Sequence, residues 1–238
     1  MKLAIFDIDG TLTDTSWVDH RCFERALAAI GMPSLEADWI GCQHISDTGL
    51  TQHLYQACHA RHPHDHEEAT LREHFVSFLL EQHAQDEALF AEIAGAAAML
   101  VQLAEKRDWV IAMATGCWRA SAEMKLRAAG IALHEKPGGF AEDGPARESI
   151  VSTAIRRASE HYDHASFDKI VSIGDGLWDV RTAANLGLPF VGIATDARAE
   201  MLCSNGARHV VPNFADCAQF FAALEAAELP RQSLSAVQ

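Results

Sequence analysis

The residues best suited to chemistry lie in two acidic stretches. Near its start the chain reads Phe6-Asp7-Ile8-Asp9-Gly10-Thr11-Leu12-Thr13-Asp14, and far downstream it reads Ser172-Ile173-Gly174-Asp175-Gly176-Leu177-Trp178-Asp179. Each follows a short apolar run, so each delivers carboxylates where a buried strand ends. In extended chain alternate residues point the same way, which sets Asp7 beside Asp9. Like charges there repel unless a cation lies between them. Carboxylate oxygens with no nearby Cys or His ligand suit a hard octahedral ion such as Mg²⁺, which keeps some waters and accepts a phosphate oxygen. A calcium EF-hand is excluded: counted from Asp7, that loop needs glycine where Leu12 stands and glutamate where Val18 stands. The plain alternative, a solvated loop with helix-capping Asp and Thr, fits the strand-end placement poorly. A third candidate is Thr115-Gly116, a hydroxyl and a backbone N–H ahead of a helix, which suits one phosphate oxygen and is also an ordinary cap.

The elements that must position these groups follow from the apolar runs. Lys2 to Phe6, Trp109 to Ala114, Lys169 to Ile173, Phe190 to Ala194 and His209 to Val211 each read as a buried strand. Helical stretches follow nearly all of them, and several end at a glycine, as at Gly130, Gly187 and Gly206. Such alternation predicts an α/β fold, a Rossmann-like parallel sheet with helices on both faces and its ligand-binding loops on one edge. From about Asp14 to Glu92 the periodicity is helical with no convincing strand. That segment reads as an inserted helical cap spanning 14–95, over a catalytic core made of 1–13 and 96–238.

Composition narrows the partners. The formal charge of −14 over 238 residues, with no local concentration of Lys and Arg, disfavours nucleic acid and anionic membranes. The six cysteines form no CxxC pair, no zinc spacing and no disulfide framework, which fits a reduced, cytoplasmic protein. No apolar run reaches membrane-spanning length, and Asp7 interrupts any signal-peptide core. Neither composition nor pattern sets the oligomeric state.

The ordered motifs resemble those of the haloacid dehalogenase-like superfamily: DxDGT, then Thr or Ser after a strand, then a basic residue, then GDxxxD. The resemblance implies that Asp7 is a nucleophile, Asp9 a general acid and base, Thr115 a phosphate ligand, and Asp175 a magnesium ligand supported by Asp179. It further implies a metal ligand from the backbone carbonyl of Asp9. The basic residue departs from the usual lysine. Lys169 opens a strand at the wrong edge, roughly 20 Å of extended chain from Asp175. Lys136 and Arg147 both stay open, with Arg147 favoured because it follows the helix-start signal Gly144-Pro145.

The implied activity is a Mg²⁺-dependent phosphatase acting on a small phosphorylated metabolite, phosphoglycolate-like or a sugar phosphate, through an aspartyl phosphate. Asp9 argues against carbon–halogen cleavage, and the absence of lysine between Lys2 and Lys106 excludes a cap Schiff base. A sugar phosphomutase and a non-catalytic phosphometabolite-binding protein are the alternatives. Candidate substrate contacts from the cap are Trp17, His20, Arg21, Asp47 and Thr48, each of which reads more readily as helix surface or packing. The run His59 to His66 reads as a solvated loop, because Pro63 breaks the spacing that a zinc site needs.

Overall fold

A computed structural model describes residues 1–34, 42–132 and 135–231. Parts of the expected cap (35–41) and of the expected core (133–134 and 232–238) therefore lie outside the described residues. The sheet has six strands, β1 (Lys2–Phe6), β2 (Trp109–Ala114), β3 (Gly138–Gly139), β4 (Lys169–Gly174), β5 (Phe190–Ile193) and β6 (Val210–Val211). Their order is β3-β2-β1-β4-β5-β6, and every neighbouring pair is parallel.

Alternation along β1 explains the layers. Ala4 and Phe6 join one apolar cluster with Met99 and Leu103 of α4 (Ala96–Ala104), Leu126 of α5 (Arg119–Ala128) and Phe220 of α9 (Cys217–Ala226). Leu3 and Ile5 join the other, with Ile150 and Ala154 of α6 (Arg147–His161), Val180 of α7 (Leu177–Leu186) and Leu202 of α8 (Asp196–Ser204). Both faces of the strand are therefore dry, as parallel sheets require.

Three of the strands finish level. Lys2 lies opposite Trp109 and Lys169, and Phe6 lies opposite Met113 and Ile173, so the residues that follow leave the sheet together at one edge. Chain order reverses beside β1, which makes this edge the topological switch point where open α/β sheets hold ligands.

Between β1 and α4 run α1 (Ser16–Ala29), α2 (Asp47–His59) and α3 (Asp65–Gln85). They share a cluster of their own, with Phe23 edge-on to Phe75 at 5.5 Å between ring centroids. One member of that cluster, Trp118, comes from the β2–α5 loop, so the insertion packs around a side chain of the sheet domain. No helix among the described residues is long and apolar enough to cross a membrane.

The five expected strands are all present, with ends shifted by a residue where Gly174, Ala194 and His209 stand. The sixth, β3, is two glycines and carries no apolar signal. A Cβ on Gly139 would lie 2.1 Å from the Ile150 carbonyl oxygen, so the bare backbone is what lets α6 pass this close.

Candidate active site

The strand ends bring the acidic stretches into one cluster. Asp7 leaves β1 with its backbone N–H donating to the Ile173 carbonyl at 2.9 Å, and its side chain is buried. The chain then turns at Gly10, whose φ of +77° favours glycine. A Cβ there would come within 2.2 Å of the Asp175 carboxylate, so the missing side chain makes room for the third acid. One turn into α7, Asp179 folds back and accepts from the Gly176 N–H at 3.0 Å. Oxygens of Asp7, Asp175 and Asp179 all fall within 4.8 Å of one another.

Burial sets the electrostatics of this cluster. It pushes the Asp7 carboxyl above its ordinary range, against the pull of Arg147. Burial, reinforced by Asp7, likewise raises Asp179 well above the ordinary carboxyl value. Asp175 rises to about 7, chiefly through burial and the neighbouring Asp7 charge, with Arg198 opposing. Arg198 Nη1 meets Asp175 Oδ2 at 2.6 Å, while the buried Oδ1 has no protein partner. A lone buried oxygen amid converging carboxylates fits a divalent cation, and the donor set fits a hard one.

Arg147 closes the other side. Its Nη1 lies 3.4 Å from both Asp7 Oδ1 and Asp179 Oδ1, and its Nε donates to the Ile45 carbonyl of the insertion at 2.8 Å. A Cβ on Gly116 would be 2.7 Å from this guanidinium, which ties the Thr115-Gly116 turn to the same place. Lys136 instead lines a separate cavity with Leu100, Val101 and Ile111. Lys169 binds the Glu225 carbonyl at 2.6 Å, at the far end of β4.

Asp9 belongs to a second cluster. Thr15 Oγ1 donates to its Oδ1 at 2.6 Å, and Cys117 Sγ and Lys125 Nζ donate to its Oδ2 at 3.0 and 2.6 Å. Burial alone would raise this carboxyl, but Lys125 with the Cys117 and Thr15 donors holds it below the usual range. Lys125 is wholly buried on α5 and also binds Asp19 of α1 and the Cys117 sulfur.

Lys125, Asp19 and Arg198 escape a motif-based reading. For Lys125 a signal exists: Ser121, Ala122, Lys125 and Leu126 form one buried stripe of α5, and a charge on such a stripe needs a partner. Asp19 sits beside the buried Val18 on α1 in the same way, whereas nothing in the sequence marks Arg198.

A cavity of about 150 Å³ lies over these groups, lined by Asp7, Asp9, Thr115, Gly116, Cys117, Arg147, Asp175, Trp178 and Arg198 below and by Ser16, Asp19, His20, Ile45, Ser46, Asp47 and Leu50 of the insertion above. Of the five insertion candidates, His20 and Asp47 reach it. Trp17 is exposed on the surface with Arg21 stacked over its ring, and Thr48 accepts from the Trp118 indole N–H at 3.0 Å. Asp47 also clamps the two parts together. Its N–H donates to the Gly116 carbonyl at 2.7 Å, and its Oδ2 accepts from the Trp118 N–H at 2.8 Å.

Residues 1–187 match the model of the haloacid dehalogenase-like hydrolases, and the chain belongs to this family. Solved structures share the fold. A hydrolase from Pseudomonas syringae is 21% identical, with 94% of this chain and 99% of that one covered and a TM-score of 0.69. A beta-phosphoglucomutase from Clostridium difficile is 14% identical, with 94% and 95% covered and a TM-score of 0.64. CbbY from Rhodobacter sphaeroides, in complex with phosphate, is 19% identical, with 90% and 95% covered and a TM-score of 0.56. No curated protein matches the chain.

Proposed function

We propose that this hydrolase is a phosphatase that transfers the phosphoryl group of a small phosphomonoester to Asp7 and then to water. The observation that carries the reading is the meeting of Asp7, Asp175 and Asp179 within 4.8 Å, with Arg147 alongside and Asp9 two residues from the nucleophile. Asp7, the Asp9 backbone carbonyl, Asp175 and Asp179 would hold Mg²⁺, which when bound neutralises the substrate's phosphoryl oxygens.

The chain's own groups supply the remaining steps. Arg147 and the Thr115-Gly116 turn bind phosphoryl oxygens and orient phosphorus toward Asp7. An Asp7 oxygen forms the new P–O bond as the ester oxygen departs, and Asp9 gives that oxygen a proton. Because Asp9 is held ionised in the free protein, the proton arrives with the substrate monoanion. Asp9 then takes a proton from water, whose oxygen attacks phosphorus, releasing inorganic phosphate and restoring the Asp7 carboxylate.

Residues 14–95 act in this reading as a cap on a core of 1–13 and 96–238, restricting water in the closed site. Six free cysteines fit a reducing compartment such as the cytoplasm. In a phosphomutase the aspartyl phosphate would pass to a second hydroxyl of the substrate. The test is phosphate release from a panel of small phosphomonoesters, with Mg²⁺ and with chelator. Mg²⁺-dependent release that fails in Asp7→Asn supports the proposal, whereas isomerisation far faster than release favours the mutase.

A further inference from the structure

The two carboxylate oxygens of Asp175 are in unlike states. Arg198 Nη1 donates to Oδ2 at 2.6 Å, whereas the buried Oδ1 has no protein partner. The bare backbone of Gly10 sits against the same group: a Cβ there would lie 2.2 Å from Oδ2 and 2.9 Å from Oδ1, so the carboxylate has little room to turn. Asp179 is arranged in a similar way. Its Oδ2 accepts from the Gly176 N–H at 3.0 Å, and its Oδ1 meets Arg147 Nη1 at the longer 3.4 Å.

Arg198 does not belong to the acidic motifs. It stands past residue 187, where the family match ends, and it is carried by α8 on the far side of β5. The backbone makes a special turn to deliver it: Asp196, two residues earlier, has a φ of +48°, in the left-handed region that few non-glycine residues enter. The guanidinium is half-exposed, while the carboxylate it holds is buried.

This arrangement controls how many oxygens Asp175 can give a cation. With Oδ2 held by Arg198, one oxygen is left. Mg²⁺ takes about six oxygens in a tight octahedron and is served by single carboxylate oxygens, whereas the larger Ca²⁺ takes roughly six to eight and can gain them by grasping both oxygens of one carboxylate. A hydrogen bond that holds back the second oxygen therefore discriminates by ion size at constant charge.

Resting on the reading of Asp7, Asp175 and Asp179 as a divalent-cation site, we propose that Arg198 is a positioning residue that keeps Asp175 a one-oxygen ligand and so sets the preference of the site for Mg²⁺ over Ca²⁺. It acts through Asp175. Because Arg198 also lines the cavity, the test is made without substrate, where a contact with the leaving group cannot contribute.

The full chain, freed of metal with chelator, is titrated with Mg²⁺ and separately with Ca²⁺ by calorimetry. Arg198→Met is expected to lower the ratio of the Ca²⁺ Kd to the Mg²⁺ Kd about tenfold, by freeing Oδ2 for the larger ion. Arg198→Ser, which removes the guanidinium without placing an apolar stem in water, is expected to do the same. Arg198→Lys keeps a charged donor and is expected to hold the ratio within about threefold of the wild type. Loss of positive charge alone would tighten both ions in parallel. A ratio within about twofold of the wild type in the Met and Ser variants overturns the proposal, whatever the absolute affinities do. If the wild type binds neither ion, the cation-site reading falls and takes the proposal with it; Mg²⁺ binding with an unmoved ratio removes Arg198 alone.

Discussion

The sheet edge and the helical insertion face each other across one cavity, and they hold their polar groups by different means. At the sheet edge, Asp7 and Asp175 continue buried strands, so hydrogen bonds between neighbouring strands fix where each carboxylate emerges. The insertion presents Asp19 from a helix face and Asp47 from a helix start, and its place over the site rests on apolar packing around Trp118 together with polar cross-links at Ile45, Ser46, Asp47 and Asp19. In the proposed reading, chemistry that must not move is built on the ladder, and selection that can vary is built on side-chain contacts.

The comparison is broken most sharply at Asp7, the proposed nucleophile. Asp7→Asn is expected to lower kcat by about 10⁴-fold or more while the fold melts normally, measured by phosphate release and thermal unfolding. Comparable turnover in this variant would mean that the sheet edge does not carry the reaction. Next in size is Lys125→Met, which strands Asp9 and Asp19 as buried, unpaired carboxylates. A stability loss of about 3–5 kcal/mol is expected in denaturant unfolding, and a neutral result would mean that the bridge between the two regions is ornamental.

Asp47→Ala sharpens the cap side alone. It leaves the buried Trp118 N–H without its acceptor, a cost of about 1–3 kcal/mol, and is expected to raise KM several-fold more than it lowers kcat. A pure kcat effect would move Asp47 into the chemistry.

The smallest effect is the response of the metal-free protein to pH. Burial, with Asp7 adding to it, raises Asp175 from the ordinary 3.8 to about 7, so across that window the folded chain holds a proton that the unfolded chain has lost. Stability then falls as pH rises through the window. Tm is expected to drop by a few degrees between pH 5 and 8, and added Mg²⁺ is expected to recover the loss at pH 8. A Tm that climbs over this range would contradict an acid cluster waiting for a cation.

The two regions also differ in how far the sequence discloses them. Strands β1, β2, β4 and β5 are readable because doubly buried strands are written as unbroken apolar runs, and the site acids Asp7 and Asp175 follow β1 and β4 directly. Arg147 is found next to Asp7 and Asp179 because a Gly-Pro pair marks the start of its helix. β3 is invisible, since two glycines carry no hydrophobic signal and their pairing with β2 is a tertiary fact. On the insertion, the sequence names His20 and Asp47 together with Trp17 and Arg21 and cannot sort them, because helix rotation decides which face meets the cavity. Lys125 and Asp19 are each an isolated charge on an apolar stripe. Only the fold reveals that they are partners, 106 positions apart.

Lys125 also limits how chains of this kind can be recombined. Its ammonium grows from α5 but is neutralised in part by a carboxylate on α1. A chimaera that imports a foreign set of helices without an acid at the position of Asp19 would leave a half-compensated charge in a dry interior. Transplanted specificity therefore has to travel as a matched pair of substitutions, one in each segment.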